Sequence, residues 1–156
     1  MSDQPDIKPP EPVVMPIFLI LTWLGTAVLA NFWVPTTIPL PGAGLAGAGL
    51  FLVAFWLIIW TFWVFNHAKT TVNPHGNASS LVTDGPFRFS RNPIYLAMLV
   101  GGFGIGLAVP NLWIVLGTAP VFVVLDRGVI ADEERFLREK FGAEYNAYCT
   151  NVRRWI

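Results

Sequence analysis

Between Glu11 and Lys69, and again between Arg91 and Asp126, the sequence contains no Asp, Glu, Lys or Arg. A soluble domain is roughly 25% charged; this 156-residue chain is 13% charged and 54% hydrophobic. Both neutral stretches are rich in Leu, Val, Phe and Trp, so they are read as membrane segments. A spanning helix needs roughly 20 apolar residues, because about 30 Å of hydrocarbon is crossed at 1.5 Å per residue. The first stretch holds two such helices, Val13 to Val34 and Ala43 to Phe65. Pro35-Thr-Thr-Ile-Pro-Leu-Pro41 separates them, since its prolines cannot continue a helix.

The second stretch, Pro93 to Leu125, is interrupted by Val109-Pro110-Asn111 and is read as a tight hairpin of two helices. A single long kinked helix is the alternative, because membrane helices tolerate proline when neighbours satisfy the freed carbonyl. Basic residues mark the cytoplasmic side. They occur as Lys8, as Lys69, Arg88 and Arg91, and as six after Leu125. Four spans place all of them on one side and both neutral turns on the other; three spans would put the Arg-rich C-terminal region outside. The expected fold is therefore an all-α, multi-pass integral membrane protein. It has about four transmembrane helices, the last two a hairpin, followed by a C-terminal amphipathic cytoplasmic helix. Its divisions are a disordered tail over 1–12, two spans over 13–66, and a region over 67–156 that carries the motifs. Both termini are expected in the cytoplasm, with the cytoplasmic (inner) membrane as the site.

Several signals carry less than their patterns promise. Gly42-Ala-Gly-Leu-Ala-Gly47 has the letters of a dinucleotide fingerprint, but that fingerprint works only between a strand and a helix. Here it opens a membrane span, where small residues, like Gly102 and Gly106, let helices approach closely. Trp33, Trp63 and Trp113 lie near helix ends and read as interfacial anchors. His67 and His75 lack a carboxylate or thiol at ligand spacing, so no metal site is expected. Asn77-Ala-Ser79 has the glycosylation form but falls on the cytoplasmic side. The zero net charge gives no reason to expect a nucleic-acid partner. The lone Cys149 excludes an internal disulfide, and its distance from the end excludes a prenylation box.

Two segments are more informative. In Leu81-Val-Thr-Asp-Gly-Pro-Phe-Arg-Phe-Ser-Arg-Asn-Pro-Ile-Tyr95, Asn92 suits an N-cap, and Pro93 suits a first helical residue. The helix start also presents free N–H groups and a positive dipole end to an anionic ligand group. In the C-terminal region, Ile130, Leu137, Phe141, Tyr145 and Tyr148 fall near one helical face, and Glu133 and Glu134 share that stripe. Either the acids are exposed and paired, as Glu134 with Arg138, worth about 0.3 to 0.5 kcal/mol, or one accepts hydrogen bonds from a buried polar ligand.

Leu81 to Phe87, Arg91-Asn-Pro-Ile-Tyr95, Glu133-Glu134, Phe141-Gly-Ala-Glu-Tyr145 and Arg153-Arg-Trp155 occur in the order and spacing of a known family. Together they resemble the isoprenylcysteine carboxyl methyltransferases and their phospholipid methyltransferase relatives. The resemblance covers about the second half of the chain and implies methyl transfer from S-adenosylmethionine to a lipid-like or prenylated small substrate drawn from the membrane. It implies that Ser80, Leu81, Val82, Phe87, Asn92, Pro93 and Tyr95 line the cofactor pocket and that Glu133 or Glu134 takes the cofactor's polar groups. It implies too that Arg127 faces the substrate. The commonest family motif has His where this chain has Asn92, a variant that looks more like the phospholipid methyltransferase branch. Asn cannot titrate near neutrality, so the acceptor stays open between a carboxylate and an amine. A small transporter subunit is the reading from another class, but transporters generally place ionisable groups within their spans. A purely structural anchor would leave the paired acids on the apolar stripe without a role.

Overall fold

A computed structural model describes residues 14–68 and 80–156; the expected tail over 1–12, His75 and Asn77-Ala-Ser79 lie outside the described residues. The elements are α1 (Val14–Trp33), α2 (Ala43–His67), a 3₁₀ turn at Gly85–Arg88, α3 (Pro93–Ala108), α4 (Leu112–Val124), a π turn at Leu125–Val129, and α5 (Ile130–Asn151). No strand occurs among the described residues. Val109-Pro110-Asn111 breaks the second neutral stretch into the hairpin α3–α4, and the single kinked helix is not formed. Asn111 ends the turn by capping α4, its Oδ1 accepting from the Ile114 N–H at 3.2 Å.

Helices α1 and α2 are long and apolar enough to cross a membrane, α3 is a shorter apolar helix, and Leu112–Asn151 forms one helical run of 40 residues. The run is continuous only as far as Gly142, where the backbone breaks; at 1.5 Å per residue the part before that break is about 45 Å long, well beyond a hydrocarbon core. Only its apolar first part, through Leu125, belongs to the membrane; from Asp126 onward the charged remainder projects beyond it. The C-terminal amphipathic helix is thus not a separate body but the continuation of the fourth span through the π turn.

Close approach at small residues holds the spans together. A Cβ on Gly104 of α3 would lie 2.7 Å from the Gly47 carbonyl oxygen of α2, and one on Gly47 would collide with the Gly104 backbone. The glycines that imitate a dinucleotide fingerprint therefore serve helix contact. Gly102 of α3 and Gly117 of α4 leave the slot filled by the Trp23 indole of α1, and Gly106 lies against Ile114 and Val115 of α4. Much of the remaining apolar surface of α1 and α2, including Phe18, Leu29, Leu52 and Trp56, faces outward, as lipid contact requires.

The two uncharged turns meet at one end of the bundle. The Thr36 hydroxyl accepts from the Leu112 N–H (3.1 Å) and Trp113 Nε1 donates to the Val34 carbonyl (3.0 Å). Trp113 is therefore a tie between α1 and α4, whereas Trp33 and Trp63 are exposed as interfacial anchors would be. His67, at the other end of α2, stacks on Trp63 with ring centroids 4.0 Å apart.

Candidate active site at the charged end of the bundle

Three elements converge opposite the uncharged turns: the 80–92 loop leading into α3, the first turns of α5, and the 152–156 segment. Gly85, with φ +62°, lets the loop turn sharply against Val64 and Trp60 of α2. Phe87 then packs on Phe65 (5.2 Å between centroids) and joins Tyr145 and Tyr148 in an apolar cluster flanked by Leu81, Val82, Leu137 and Phe141. The Tyr148 hydroxyl donates to the Phe87 carbonyl at 2.7 Å. That return is made possible by a break in α5 at Gly142, whose φ of 51° and ψ of −118° are non-helical. Beyond it the chain redirects Tyr145 and Tyr148 toward the loop.

Adjacent glutamates on α5 take opposite roles. Side chains one residue apart point about 100° away from each other around a helix. Glu134 is buried and receives Arg91 Nη2 at 2.7 Å and Arg154 Nη2 and Nε at 2.7 and 3.1 Å. Against burial, which raises a carboxyl, these hydrogen bonds hold Glu134 below the usual glutamate range. The exposed pairing with Arg138 expected from the spacing is only a 3.6 Å outer contact; the main partners come from distant parts of the chain. Glu133 faces the start of α3, where the Tyr95 hydroxyl donates to its Oε1 at 2.6 Å. It lies eight residues beyond Leu125, about 12 Å along the helix, outside the membrane-spanning part. Burial pushes its carboxyl up to about 7, opposed by the Tyr95 hydrogen bond.

Asn92 holds the N-cap position of α3, as expected, but does not cap it with its side chain; its Nδ2 instead donates to the Arg154 carbonyl (3.1 Å), and its own N–H donates to Ser90 Oγ (3.1 Å). The competing carbonyl of the 152–156 segment takes the amide away from the helix start. Pro93 is the first residue of α3, as expected. Ser80 is exposed, Leu81 and Val82 are half-buried, and Phe87, Asn92, Pro93 and Tyr95 are buried. Arg127 sits in the π turn, exposed and without a salt bridge among the described residues. The structure thus joins Tyr95 to Glu133 and leaves Arg127 outside the network.

Sequence reasoning gave no site role to Ser90, Asp126, Arg154 or Trp155. Arg154 Nη1 donates to Asp126 Oδ1 at 3.1 Å, and Trp155 Nε1 donates to the same oxygen at 2.9 Å. The Arg153-Arg-Trp155 motif was the available signal, but nothing local to it names its partners. Arg91 Nη1 donates to the Val152 carbonyl at 2.8 Å, while its buried Nε has no partner among the described residues.

A family model described as phospholipid methyltransferase matches residues 43–144, a range running from the start of α2 to just past the Gly142 break. The cobalt-zinc-cadmium resistance protein CzcN of Cupriavidus metallidurans is 36% identical over 69 residues, 43% of this chain and 32% of that protein. An uncharacterized Haemophilus influenzae protein is 36% identical over 63 residues, 40% of this chain and 100% of that protein. The match thus spans less than half of the CzcN length. No solved structure matches the chain significantly. With the match extending over more than half of its length, the chain belongs to the phospholipid methyltransferase family, which includes the isoprenylcysteine carboxyl methyltransferases, and is a multi-pass membrane protein.

Proposed function

We propose that the protein transfers a methyl group from S-adenosylmethionine to a lipophilic or prenylated carboxylate, in the manner of isoprenylcysteine carboxyl methyltransferases, at the cytoplasmic face of the inner membrane. The observation that carries this reading is Glu133. A half-buried carboxylate, pushed up by desolvation to about 7 and bonded to Tyr95, lies beside a second carboxylate already saturated by two arginines. A polar group buried without full compensation costs free energy, so Glu133 is accounted for by a ligand that donates to it.

The residues present fit such a cofactor. Glu133 would accept from its ribose hydroxyls or amino group, Leu81, Val82 and Phe87 supply an apolar wall, and the helix start behind Asn92 and Pro93 offers free N–H groups to a carboxylate. Ser80, Tyr95 and Glu134 complete the set that the family resemblance assigns to the pocket, with Glu134 acting as a brace through its arginines. When bound, S-adenosylmethionine supplies an electrophilic methyl group on a sulfonium sulfur. A carboxylate acceptor brings its own lone pair, so the protein needs no general base; its work is to align the acceptor and exclude water. Arg127, exposed where the fourth span emerges, would hold the acceptor carboxylate by a bidentate contact. The acceptor's apolar tail would stay in the bilayer against the outward faces of the helices.

N-methylation of a phospholipid amine is a second reading, favoured by the description of the matching family model and by Asn92 in place of His. Membranes containing the protein, incubated with methyl-labelled S-adenosylmethionine, separate the two. Label released by mild base as volatile methanol identifies a methyl ester and supports the carboxylate; label that stays non-volatile, on a methylated amine headgroup, supports the amine. No protein-dependent label in any lipophilic product overturns both.

A further inference from the structure

The Arg153-Arg-Trp155 motif is not absorbed by methyl transfer itself, yet its middle residue is the most connected side chain at the charged end. Arg154 grips both oxygens of Glu134, through Nε to Oε1 (3.1 Å) and Nη2 to Oε2 (2.7 Å). Its third nitrogen, Nη1, reaches Asp126 Oδ1 (3.1 Å) and the Asp126 carbonyl (3.3 Å). Its own carbonyl accepts from Ser90 Oγ (3.3 Å) and Asn92 Nδ2 (3.1 Å), and the neighbouring Arg153 carbonyl accepts from the Arg91 N–H (3.1 Å). Trp155 braces the assembly, donating to Asp126 and packing on Phe122 of α4 with centroids 5.0 Å apart. One residue therefore ties α5, the π turn and the start of α3 to each other.

Those three elements decide where Glu133 points. Glu133 and Glu134 are locked about 100° apart on one helix, so holding Glu134 against the arginines turns Glu133 toward Tyr95. At a side-chain radius of about 6 Å, a rotation of α5 by roughly 10° moves the carboxylate by about 1 Å. Displacements of that size carry functional cost, because ligand-binding groups work within about 0.5 Å. A planar guanidinium holds a carboxylate in a fixed fork that an ammonium cannot reproduce.

We propose that Arg154 is a positioning residue: its two-pronged hold on Glu134, braced by Asp126, fixes the rotation of α5 that presents Glu133 to Tyr95, and thereby sets the affinity of the site. The link to affinity rests on the reading of Glu133 as a ligand-facing group, whereas the positioning itself does not.

The test uses the full chain in detergent with Arg154→Lys, Arg154→Ala and Asp126→Asn. The probe is S-adenosylhomocysteine, titrated by calorimetry, and the independent readout is the carbon-13 carboxyl resonance of Glu133, assigned with Glu133→Gln. Arg154→Lys, which keeps the charge, is expected to fold with unchanged helical circular dichroism, to shift the Glu133 resonance and its titration midpoint, and to weaken binding at least tenfold. Asp126→Asn, which removes the charge of the brace while leaving an acceptor oxygen, is expected to give a smaller change of the same kind. It keeps the test decisive should Arg154→Ala fail to fold. An unmoved Glu133 resonance in Arg154→Lys overturns the proposal, even with weakened binding, since Arg154 would then act on the ligand directly. A moved resonance with unchanged affinity overturns the link to binding. Should the wild-type chain bind no S-adenosylhomocysteine, the cofactor reading falls, and the Glu133 resonance alone decides whether Arg154 positions α5.

Discussion

Replacing Glu133 by Gln should make the protein more stable at alkaline pH while weakening the site. In the folded chain, burial raises the Glu133 carboxyl from the ordinary 4.5 to about 7, with Tyr95 pulling the other way. Between those values the folded chain keeps a proton that the unfolded chain releases, so stability falls as pH rises. The penalty is absent below about pH 4.5, grows through the interval, and is complete above about 7. The distance from 4.5 to about 7, at about 1.4 kcal/mol per pH unit, bounds it at about 3 kcal/mol. Gln is neutral throughout, has nearly the same shape, and its carbonyl still accepts from the Tyr95 hydroxyl. The variant should therefore gain up to about 3 kcal/mol over wild type at pH 8 and differ little at pH 4.5. Denaturant unfolding of both proteins in detergent between pH 4.5 and 8.5 measures this. A stability difference that is flat with pH, or that favours wild type at pH 8, would refute the claim that burial controls Glu133.

Other positions test the scaffold and the network. Gly104→Val forces side-chain atoms against the Gly47 carbonyl and the Phe51 N–H, 2.7 and 2.9 Å from where a Cβ would stand; unfolding in detergent should show a loss of about 1 to 3 kcal/mol. Gly142→Ala meets no neighbour within 4 Å but must hold φ at +51°, so a loss of about 1 to 3 kcal/mol is expected from backbone strain alone. Glu134→Ala leaves Arg91 without its carboxylate in a buried setting and Arg154 with Asp126 alone; the expected loss is about 3 kcal/mol, read as a lowered unfolding midpoint, and Glu134→Gln should recover part of it.

Much of the fold is legible in where charge is missing. The two neutral stretches, the Pro35–Pro41 separator and the Val109-Pro110-Asn111 turn mark four apolar helices, because hydrocarbon excludes charge and proline interrupts helical hydrogen bonding. The joining of α4 to α5 was not legible: Asp126 ends the apolar run, but nothing at that step breaks a helix, so the backbone continues through a π turn. The break at Gly142 was hidden for the converse reason, since Phe141, Tyr145 and Tyr148 keep helical spacing on both sides of it. At the site, the motifs identified Tyr95 and the glutamate pair but could not divide labour between Glu133 and Glu134. That division depends on Arg91 and Arg154, which lie 43 and 20 residues from Glu134. Asn92 does hold the N-cap position, but its side chain is drawn to a carbonyl at Arg154, 62 residues away, and a distant acceptor leaves no local trace.

The central claim is that the start of α3 and the glutamate-bearing face of α5 together form the cofactor site. Equilibrium binding of labelled S-adenosylmethionine to purified wild-type, Tyr95→Ala and Glu133→Ala proteins tests it most directly. The account predicts saturable binding by wild type and at least tenfold weaker binding by each variant, with helical content preserved. Wild-type affinity in both variants would contradict it.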